Sequence, residues 1–237
     1  MRLGDGVRVA VTDRTGGVSV PPFDGRNLGG RVGDDPESVR ENRKRTAVEL
    51  GLDPGRVVYM RQVHSASAAY VTEPFGAAPP PLDAVFTDVA GLALAALSAD
   101  CATVFLADPG MRMIGTAHSG RPGTAAGVVP ALVEAMAARG ARPSRMVALV
   151  GPAACGRCYE VPDALRAEVA AAVPETWATT RTGTASLDLR AGITAQLARA
   201  GVPEVHHDPR CTIETPALYS HRRDKPTGRF AGYIWLE

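Results

Sequence analysis

The sequence predicts a mixed α/β fold in which helices cover a core of β-sheet. Short apolar runs of strand length follow one another through the first half of the chain, and segments with helical spacing are interleaved with strands in the second half. A chain of 237 residues is long for one domain and short for two. Because no internal repeat or long linker divides it, we expect a single domain over residues 1–237.

The first half is predicted to hold one helix among several strands. Val7–Val11 has a strand pattern and leads into a glycine-rich turn, which predicts a hairpin near the start. A helix is expected over about residues 36–50, because Asp35 can cap it and Pro36 suits its first turn. Further apolar runs predict strands over residues 57–63, 68–71, 92–98, 103–107 and 113–117, with a proline-rich surface loop over 77–83.

The second half is predicted to be richer in helix. Apolar residues recur at helical spacing over residues 123–139, and amphipathic helices are expected over 163–172 and 188–200, the last ended by Gly201. A buried strand is expected over residues 147–150. These alternations predict helices that pack on the strands of the first half.

The charge balance argues against nucleic acid and membranes as partners. Lys and Arg number 26 against 25 Asp and Glu, which gives a formal net charge of +1, whereas either partner usually requires a basic patch. The first residues lack the apolar run of a signal peptide, and no apolar stretch has the length of a membrane span. We therefore expect a cytoplasmic protein that acts on a small molecule.

The four cysteines are expected to be reduced thiols rather than a disulfide framework. Cys155 and Cys158 have CxxC spacing, but the sequence shows no second pair, and residues 159–162 do not continue as the helix that follows a redox CxxC. Packing within a loop is therefore favoured over a structural metal or redox role for this pair.

Three residues with metal-binding or nucleophilic side chains occur where predicted strands give way to turns: His64, Cys101 and His118. Two imidazoles and one thiolate can bind zinc and leave a fourth position for water or substrate, which is the catalytic arrangement. Cys101 and His118 could equally form a nucleophile and base without metal. Taken singly, each residue also fits ordinary packing or hydrogen bonding. Asp100 is expected to hold its turn through hydrogen bonds.

The order of several motifs resembles a known family. The chain resembles the family once called multicopper polyphenol oxidases or laccase-domain proteins, later described as purine nucleoside phosphorylases and as peptidoglycan editing factors. The resemblance covers residues 27–236 and rests on NLGGRVGDDPESVRENR, RQVHSA, LSADCATVFLADP, GTAHSGRPGTAAGV, GPAACGRCYEV and CTIETPALYSHRRDKPTGRFAGYIWL, in that order.

The resemblance carries expectations about fold, site and activity. It implies sheets packed between helical layers, as in a group of cysteine hydrolases, and it places the family's catalytic or metal-binding set on His64, Cys101 and His118. It implies phosphorolysis of purine nucleosides, including adenosine and methylthioadenosine, and deamination of adenosine. Zinc is the expected cofactor, with copper as the alternative.

Phosphorolysis requires fixed cations for phosphate, and guanidinium groups bind its oxygens in bidentate fashion. The candidates for substrate binding are Arg43, Arg61, Arg222 and Arg229. Arg43 also fits a solvated helix position, since no acid lies three or four residues away. Arg223 is interpreted as part of a charged loop, Asn27 as a turn residue, and the adjacent His206 and His207 as surface residues.

Two departures from the family's usual sequence affect these expectations. Arg121 and Pro122 stand where the family frequently has Trp and Arg, which puts a contribution of that loop to stacking or anion binding in doubt. Residues 218–221 read Leu-Tyr-Ser-His in place of a more aromatic FFSY-like run, which bears on stacking of a base or sugar.

Three other functions fit the same residues. One is a hydrolase that edits peptidoglycan precursors with Cys101 as nucleophile and His118 as base. Another is copper-dependent polyphenol oxidation, which ranks lowest because five histidines are too few for blue and trinuclear copper sites together. A third is a metal that only fixes three loops. The oligomeric state does not follow from the sequence.

Overall fold

A computed structural model describes residues 1–237. The elements of the first half are β1 (Val7–Val11), α1 (Pro36–Glu49), β2 (Val57–Tyr59), β3 (Ala68–Tyr70), β4 (Ala84–Thr87), β5 (Ala93–Ser98), β6 (Ala102–Asp108) and β7 (Met113–Ser119). Those of the second half are α2 (Arg121–Ala126), α3 (Val128–Ala138), β8 (Val147–Val150), α4 (Asp163–Ala172), β9 (Trp177–Thr179), β10 (Ala185–Leu187), α5 (Leu189–Arg199), β11 (Glu204–His207), α6 (His221–Asp224) and β12 (Phe230–Leu236).

The strands form two main sheets and a small ribbon. The smaller main sheet has the order β1-β12-β5-β2, the larger has the order β11-β8-β6-β7-β4-β3, and β9 pairs with β10. Most neighbours are antiparallel, while β2 with β5, β3 with β4 and β8 with β11 are parallel. The chain passes between the two sheets several times, from the smaller to the larger between β2 and β3 and again between β5 and β6.

The central strands are apolar on both faces because both faces are covered. In β6, Val104 and Leu106 pack toward α3 and α5, whereas Phe105 and Ala107 pack between the two sheets. The outer face of the smaller sheet packs against residues that include Ala47 of α1. Side chains that alternate in this way give four layers, with helices outside two sheets. The predicted mixed α/β fold is therefore confirmed.

Two predictions about local structure are wrong. The hairpin near the start does not form; β1 pairs instead with β12 in antiparallel register, from Val7 with Leu236 to Val11 with Gly232. The helix expected over residues 123–139 is two helices, because Gly127 adopts a φ of 82° between α2 and α3. Glycine takes this left-handed conformation without the steric cost that other residues meet.

The first helix begins where it was predicted, whereas one predicted strand is shorter. Asp35 caps α1 by accepting hydrogen bonds from the backbone N–H groups of Glu37 and Ser38, as expected of an aspartate at this position. The strand expected over residues 57–63 ends earlier, at Tyr59, and the segment that follows carries part of the candidate site. No helix has the length and apolar character needed to cross a membrane.

Asp108 anchors the end of β6 that lies away from the candidate site. Its carboxylate is inaccessible to solvent and accepts hydrogen bonds from the backbone N–H groups of Met111 and Arg142 and from the guanidinium of Arg145. Burial raises the pKa of Asp108, but these donors outweigh burial and lower the pKa below its ordinary value.

We expect Asp108→Asn to lower the free energy of unfolding by about 1–3 kcal/mol near neutral pH, because an amide accepts these bonds less strongly and adds a buried donor. The advantage of the wild type should be present above about pH 4 and disappear as the pH falls through the lower folded-state pKa. Urea unfolding of both proteins at several pH values checks this. An equal difference at all pH values would contradict it.

Candidate functional site

His64, Cys101 and His118 meet at one point between the two sheets. His64 lies in the turn that follows β2, Cys101 in the link between β5 and β6, and His118 near the end of β7. The Cys101 Sγ lies 3.8 Å from Nε2 of His64, and one donor atom from each residue lies within 4.8 Å of the others. The rings of His64 and His118 meet edge to face, with centroids 4.8 Å apart.

Asp83 holds two members of this group in place. Its buried carboxylate accepts a 2.9 Å hydrogen bond from Nδ1–H of His118 through one oxygen. The other oxygen accepts hydrogen bonds from the backbone N–H groups of Val63 and Ser65 and from the Ser65 hydroxyl. The carboxylate thus orients His118 and fixes the turn that carries His64, and it leaves Nε2 of His118 free to face Cys101.

The surroundings favour charged forms of the group. Burial alone raises the pKa of the Cys101 thiol, but the charge of His118 and hydrogen bonds from His118 and His64 lower it to about 6. Burial lowers the pKa of His118, whereas the Cys101 thiolate and Asp83 raise it to about 9. Asp83 has its pKa lowered to about 2, because hydrogen bonds from His118 and two backbone amides outweigh burial. Cys101 is therefore poised as a thiolate.

Asp100 shapes the turn before Cys101, as its sequence position predicts. Its backbone adopts a φ of 100°, a conformation that side-chain-bearing residues adopt rarely. One carboxylate oxygen accepts a 2.6 Å hydrogen bond from the Thr212 hydroxyl and the other a 2.7 Å bond from the backbone N–H of Arg222. These bonds tie the turn to the C-terminal part of the chain and hold the unusual backbone in place.

Gly120 follows β7 directly beside the group. A Cβ atom added at this position would lie 2.6 Å from Cδ2 of His64 and 2.7 Å from Sγ of Cys101. Those separations are well below van der Waals contact, so the two side chains could not keep their present positions beside a larger residue.

We expect Gly120→Ala to lower kcat/KM at this site by at least about tenfold, because a displacement of about 1 Å can cost a hundredfold in rate. The fold should persist, which circular dichroism can verify. Gly76→Ala is the matched control, since a Cβ at Gly76 meets nothing within 4 Å. Equal activity of the two variants would show that the packing around Gly120 is unimportant.

The group lies in a cleft of about 670 Å³. All seven residues predicted for the site are among its lining residues: His64, Cys101, His118, Arg43, Arg61, Arg222 and Arg229. None of the four arginines forms an ion pair with a carboxylate. A fifth arginine, Arg31, also lines the cleft. The cleft therefore holds five guanidinium groups that form no ion pair with a carboxylate, which is a favourable setting for an anion.

Arg43 is held in place by the protein, whereas Arg61 has an unpaired donor. Arg43 stacks over Tyr59, with its guanidinium carbon 4.0 Å from the ring centroid, and its Nε–H donates to the carbonyl of Leu28. The Nε of Arg61 is buried and has no hydrogen-bond partner in the protein. Arg43 is therefore not simply a solvated residue on the surface of α1, because its side chain is stacked and partly buried.

Arg222 and Arg229 approach from the C-terminal part of the chain. Arg222 donates a 2.7 Å hydrogen bond to the carbonyl of Glu160, and Arg229 donates to the carbonyls of Thr227 and Gly228. Carbonyl partners orient a guanidinium without cancelling its charge, so both keep their capacity to bind an anion.

Three interpretations of other polar residues agree with the structure. Asn27 is a buried turn residue whose side chain accepts from the backbone N–H of Gly29 and Arg229. His206 and His207 lie on the exposed strand β11. Each of these side chains has a structural or surface position rather than a place in the cleft.

Arg223, Arg121 and Tyr219 lie near the cleft but do not line it. Arg223, interpreted as part of a charged loop, lies in α6 and donates to several backbone carbonyls, among them those of Thr212 and Leu218. Arg121 begins α2 but does not line the cleft. Tyr219 is fully buried and donates to the carbonyl of Phe23, so it offers no face for stacking a base.

Sequence reasoning missed Asp83, Tyr59 and Tyr159. The two tyrosines line the cleft, with Arg43 stacked over Tyr59 and Arg222 over Tyr159. A usable signal existed for Asp83, because an acid directly before a fully buried strand must be paired or hydrogen-bonded. Cys155 and Cys158, interpreted as loop packing, lie with Cys211 and Glu214 in a second cluster outside this cleft.

The chemistry of the donor set fits a divalent metal ion such as zinc. Two imidazoles and a thiolate are borderline-soft ligands of the kind zinc prefers, and a catalytic site has three protein ligands and one open position. The carboxylate on the far nitrogen of His118 is the outer hydrogen bond that metal-ligating histidines typically make. The same side chains also have the arrangement of a nucleophile, a base and an orienting acid.

Comparisons with known proteins identify the family of the chain. The family described as multi-copper polyphenol oxidoreductase laccase matches residues 8–237. The chain belongs to this family.

Relatives in this laccase-like family carry the name purine nucleoside phosphorylase. One from Streptomyces griseus is 56% identical over 230 residues, covering 96% of this chain and 94% of the relative. One from Mycobacterium bovis is 48% identical over 231 residues, covering 98% and 92%. The names of these relatives support an enzyme of the transferase class.

Solved structures of similar proteins have the same fold. YlmD from Geobacillus stearothermophilus has a TM-score of 0.91 at 34% identity, covering 98% of this chain and 93% of that one. The YfiH protein of Bacillus licheniformis has a TM-score of 0.89 at 31% identity, with the same coverage. The two-sheet architecture is thus shared with these two bacterial proteins.

Proposed function

We propose that this chain is a metal-assisted purine nucleoside phosphorylase that accepts adenosine and methylthioadenosine and also deaminates adenosine. The observation that carries the proposal is a single cleft in which five arginines without ion-pair partners lie around His64, Cys101 and His118. Phosphate is the anion that a phosphorylase must hold beside a reacting centre, and the names of the relatives agree with this substrate class.

His64, Cys101 and His118 would hold the metal ion, with zinc as the proposed identity. A bound divalent ion supplies a Lewis acid and lowers the pKa of a bound water. Asp83 would keep the His118 ring in the orientation that presents Nε2, and the Cys101 thiolate would offset part of the ion's charge.

In phosphorolysis the arginines hold phosphate against C1′ of the ribose. A phosphate oxygen forms a bond to C1′ while the bond from C1′ to N9 breaks, and the purine leaves with the electron pair and takes up a proton. Arg43, fixed by Tyr59 and Leu28, needs little reordering to bind, which lowers the entropic cost of orienting phosphate. Tyr159 would provide aromatic surface for the nucleoside.

Deamination would use the same cleft with water in place of phosphate. Water adds to C6 of adenine, and ammonia leaves with the electron pair of the C6–N bond, which yields inosine. No phosphate takes part, so the two activities should respond differently to loss of an arginine.

A cysteine hydrolase that edits peptidoglycan precursors is the second candidate. The observation that favours it is that the Cys101 thiol lies beside the imidazoles of His64 and His118, and that Asp83 accepts a hydrogen bond from His118. In this case Cys101 would attack a substrate carbonyl with His118 as base, and Asp83 would orient the base. Full activity after metal removal, or a thioester trapped on Cys101, would select this function over phosphorolysis.

The test is incubation of purified, zinc-loaded protein with adenosine, with and without phosphate. Adenine and ribose 1-phosphate should form only with phosphate, and inosine should form without it. Arg61→Ala should raise the KM for phosphate by about tenfold or more, the equivalent of about 1.4 kcal/mol, and leave inosine formation in place. His206→Ala, a change on an exposed strand, is the control. If the wild type forms neither adenine nor inosine, the proposal is wrong.

A further inference from the structure

A second cluster of metal-binding side chains lies outside the cleft. Cys155 and Cys158 come from the loop after β8, and Cys211 and Glu214 from the loop after β11. One donor atom from each of the four lies within 4.8 Å of the others. Cys155 and Cys158 are close in the sequence. The fold brings the third thiol and the carboxylate to them from about fifty residues further along the chain.

We propose that Cys155, Cys158, Cys211 and Glu214 form a structural site for a thiophilic divalent ion, with zinc as the best fit. Three sulfurs and one carboxylate oxygen make four protein donors, which is the number in closed, tetrahedral structural zinc sites. A disulfide would use two of the sulfurs and leave the third thiol and the carboxylate without a role. The three thiols are unpaired in the structure.

Two N–H donors point at sulfur atoms of the cluster. The backbone N–H of Cys155 donates to Sγ of Cys211 at 3.4 Å, and Nη1 of Arg181 donates to Sγ of Cys158 at 3.1 Å. Donors aimed at sulfur stabilise negative charge on it, as outer hydrogen bonds do around metal ligands.

The charges of the cluster also balance with an ion present. Three thiolates, one carboxylate and a divalent cation sum to a charge of −2, and two arginines are at hand. Arg181 pairs with Glu214, and Arg157 lies between the two cysteines of the CxxC pair. A carboxylate has two oxygens, so Glu214 can bind an ion through one and keep Arg181 on the other.

The site would fix one wall of the substrate cleft. Residue 159, directly after the CxxC pair, is a cleft tyrosine, and the carbonyl of Glu160 holds Arg222. On the other loop, Thr212 follows Cys211 and donates to Asp100 beside Cys101. The backbones of the two loops are joined by the hydrogen bond from Thr212 N–H to the Ala153 carbonyl. An ion at the cluster would tie both loops together.

The experiment uses the full-length Cys101→Ser protein, whose remaining thiols all belong to the cluster. Titration with Co²⁺ should give the intense near-ultraviolet absorption of thiolate-to-cobalt charge transfer, saturating at about one ion per chain. Zinc should displace the cobalt and abolish the absorption. Elemental analysis of the zinc-loaded form provides the independent count.

Glu214→Gln in the same background tests the fourth ligand without disturbing the core, since Glu214 is exposed. The dissociation constant should rise by at least about tenfold, the loss that even an outer partner of a metal ligand causes. Glu49→Gln is the matched control, because Glu49 is an exposed carboxylate paired with Arg26, and it should leave binding unchanged.

Three results would overturn the proposal: no charge-transfer absorption in Cys101→Ser, equal affinities of the two glutamine variants, or a disulfide between two of the three thiols in protein purified with zinc. None of these results bears on phosphorolysis of adenosine, so the two proposals stand or fall separately.

Discussion

The Cys101→Ser variant is expected to lose about a thousandfold or more of kcat/KM for phosphorolysis of adenosine, which corresponds to about 4 kcal/mol of transition-state stabilisation. A serine hydroxyl is not ionised near neutral pH and is a poor ligand for zinc, so both the ion and the charge of the thiolate would be lost from the site. Steady-state kinetics with phosphate and adenosine measures the effect.

Metal analysis separates the two roles of Cys101. If the thiolate acts as a ligand, Cys101→Ser should bind less metal at this site, and metal-stripped wild type should show a similar loss that added zinc restores. A variant with unchanged kcat/KM would exclude Cys101 from the reaction. Metal-stripped wild type with full phosphorolytic activity would exclude the proposed ion.

Asp83→Asn is expected to weaken metal binding at the candidate site by about 10- to 100-fold. The amide nitrogen would face the N–H groups of Val63 and Ser65, so donors would meet donors, and the free energy of unfolding should fall by about 1–3 kcal/mol. Competition with a chromogenic chelator measures the affinity, and thermal unfolding measures the stability.

Asp88→Asn is the control for this variant. Asp88 is exposed and accepts one hydrogen bond from the Tyr70 hydroxyl, and it lies just after the same strand β4. Its substitution should leave metal affinity unchanged. If Asp83→Asn lowered stability but kept wild-type affinity, the carboxylate would support the fold without positioning His118.

The sequence predicted the layered α/β fold well because the signals for it are local. The alternation of apolar residues in β5 and β6 and the cap at Asp35 depend on neighbours a few residues away. The three residues His64, Cys101 and His118 were also identified, since imidazole and thiol groups beside buried strands are uncommon, and the family motifs surround them.

The features that were missed depend on contacts between distant parts of the chain. The residues near Val7–Val11 do not show that this strand pairs with β12, because the backbone groups that pair two strands are nearly the same for every residue type. The role of Asp83 depends on the approach of two separate turns. The cluster of Cys155, Cys158 and Cys211 required the spatial neighbourhood of β8 and β11, which pair in parallel although α4 and α5 intervene.

The candidate site also joins the two halves of the sandwich. His118 lies within the larger sheet, while His64 and Cys101 occupy two of the links in which the chain crosses from the smaller sheet to the larger. A ligand held by all three acts as a clasp across the sheet interface, so the sheets of the loaded protein cannot part in independent steps. Its binding free energy adds to the resistance of the whole sandwich to unfolding, so the loaded protein should melt at a higher temperature than the metal-stripped one.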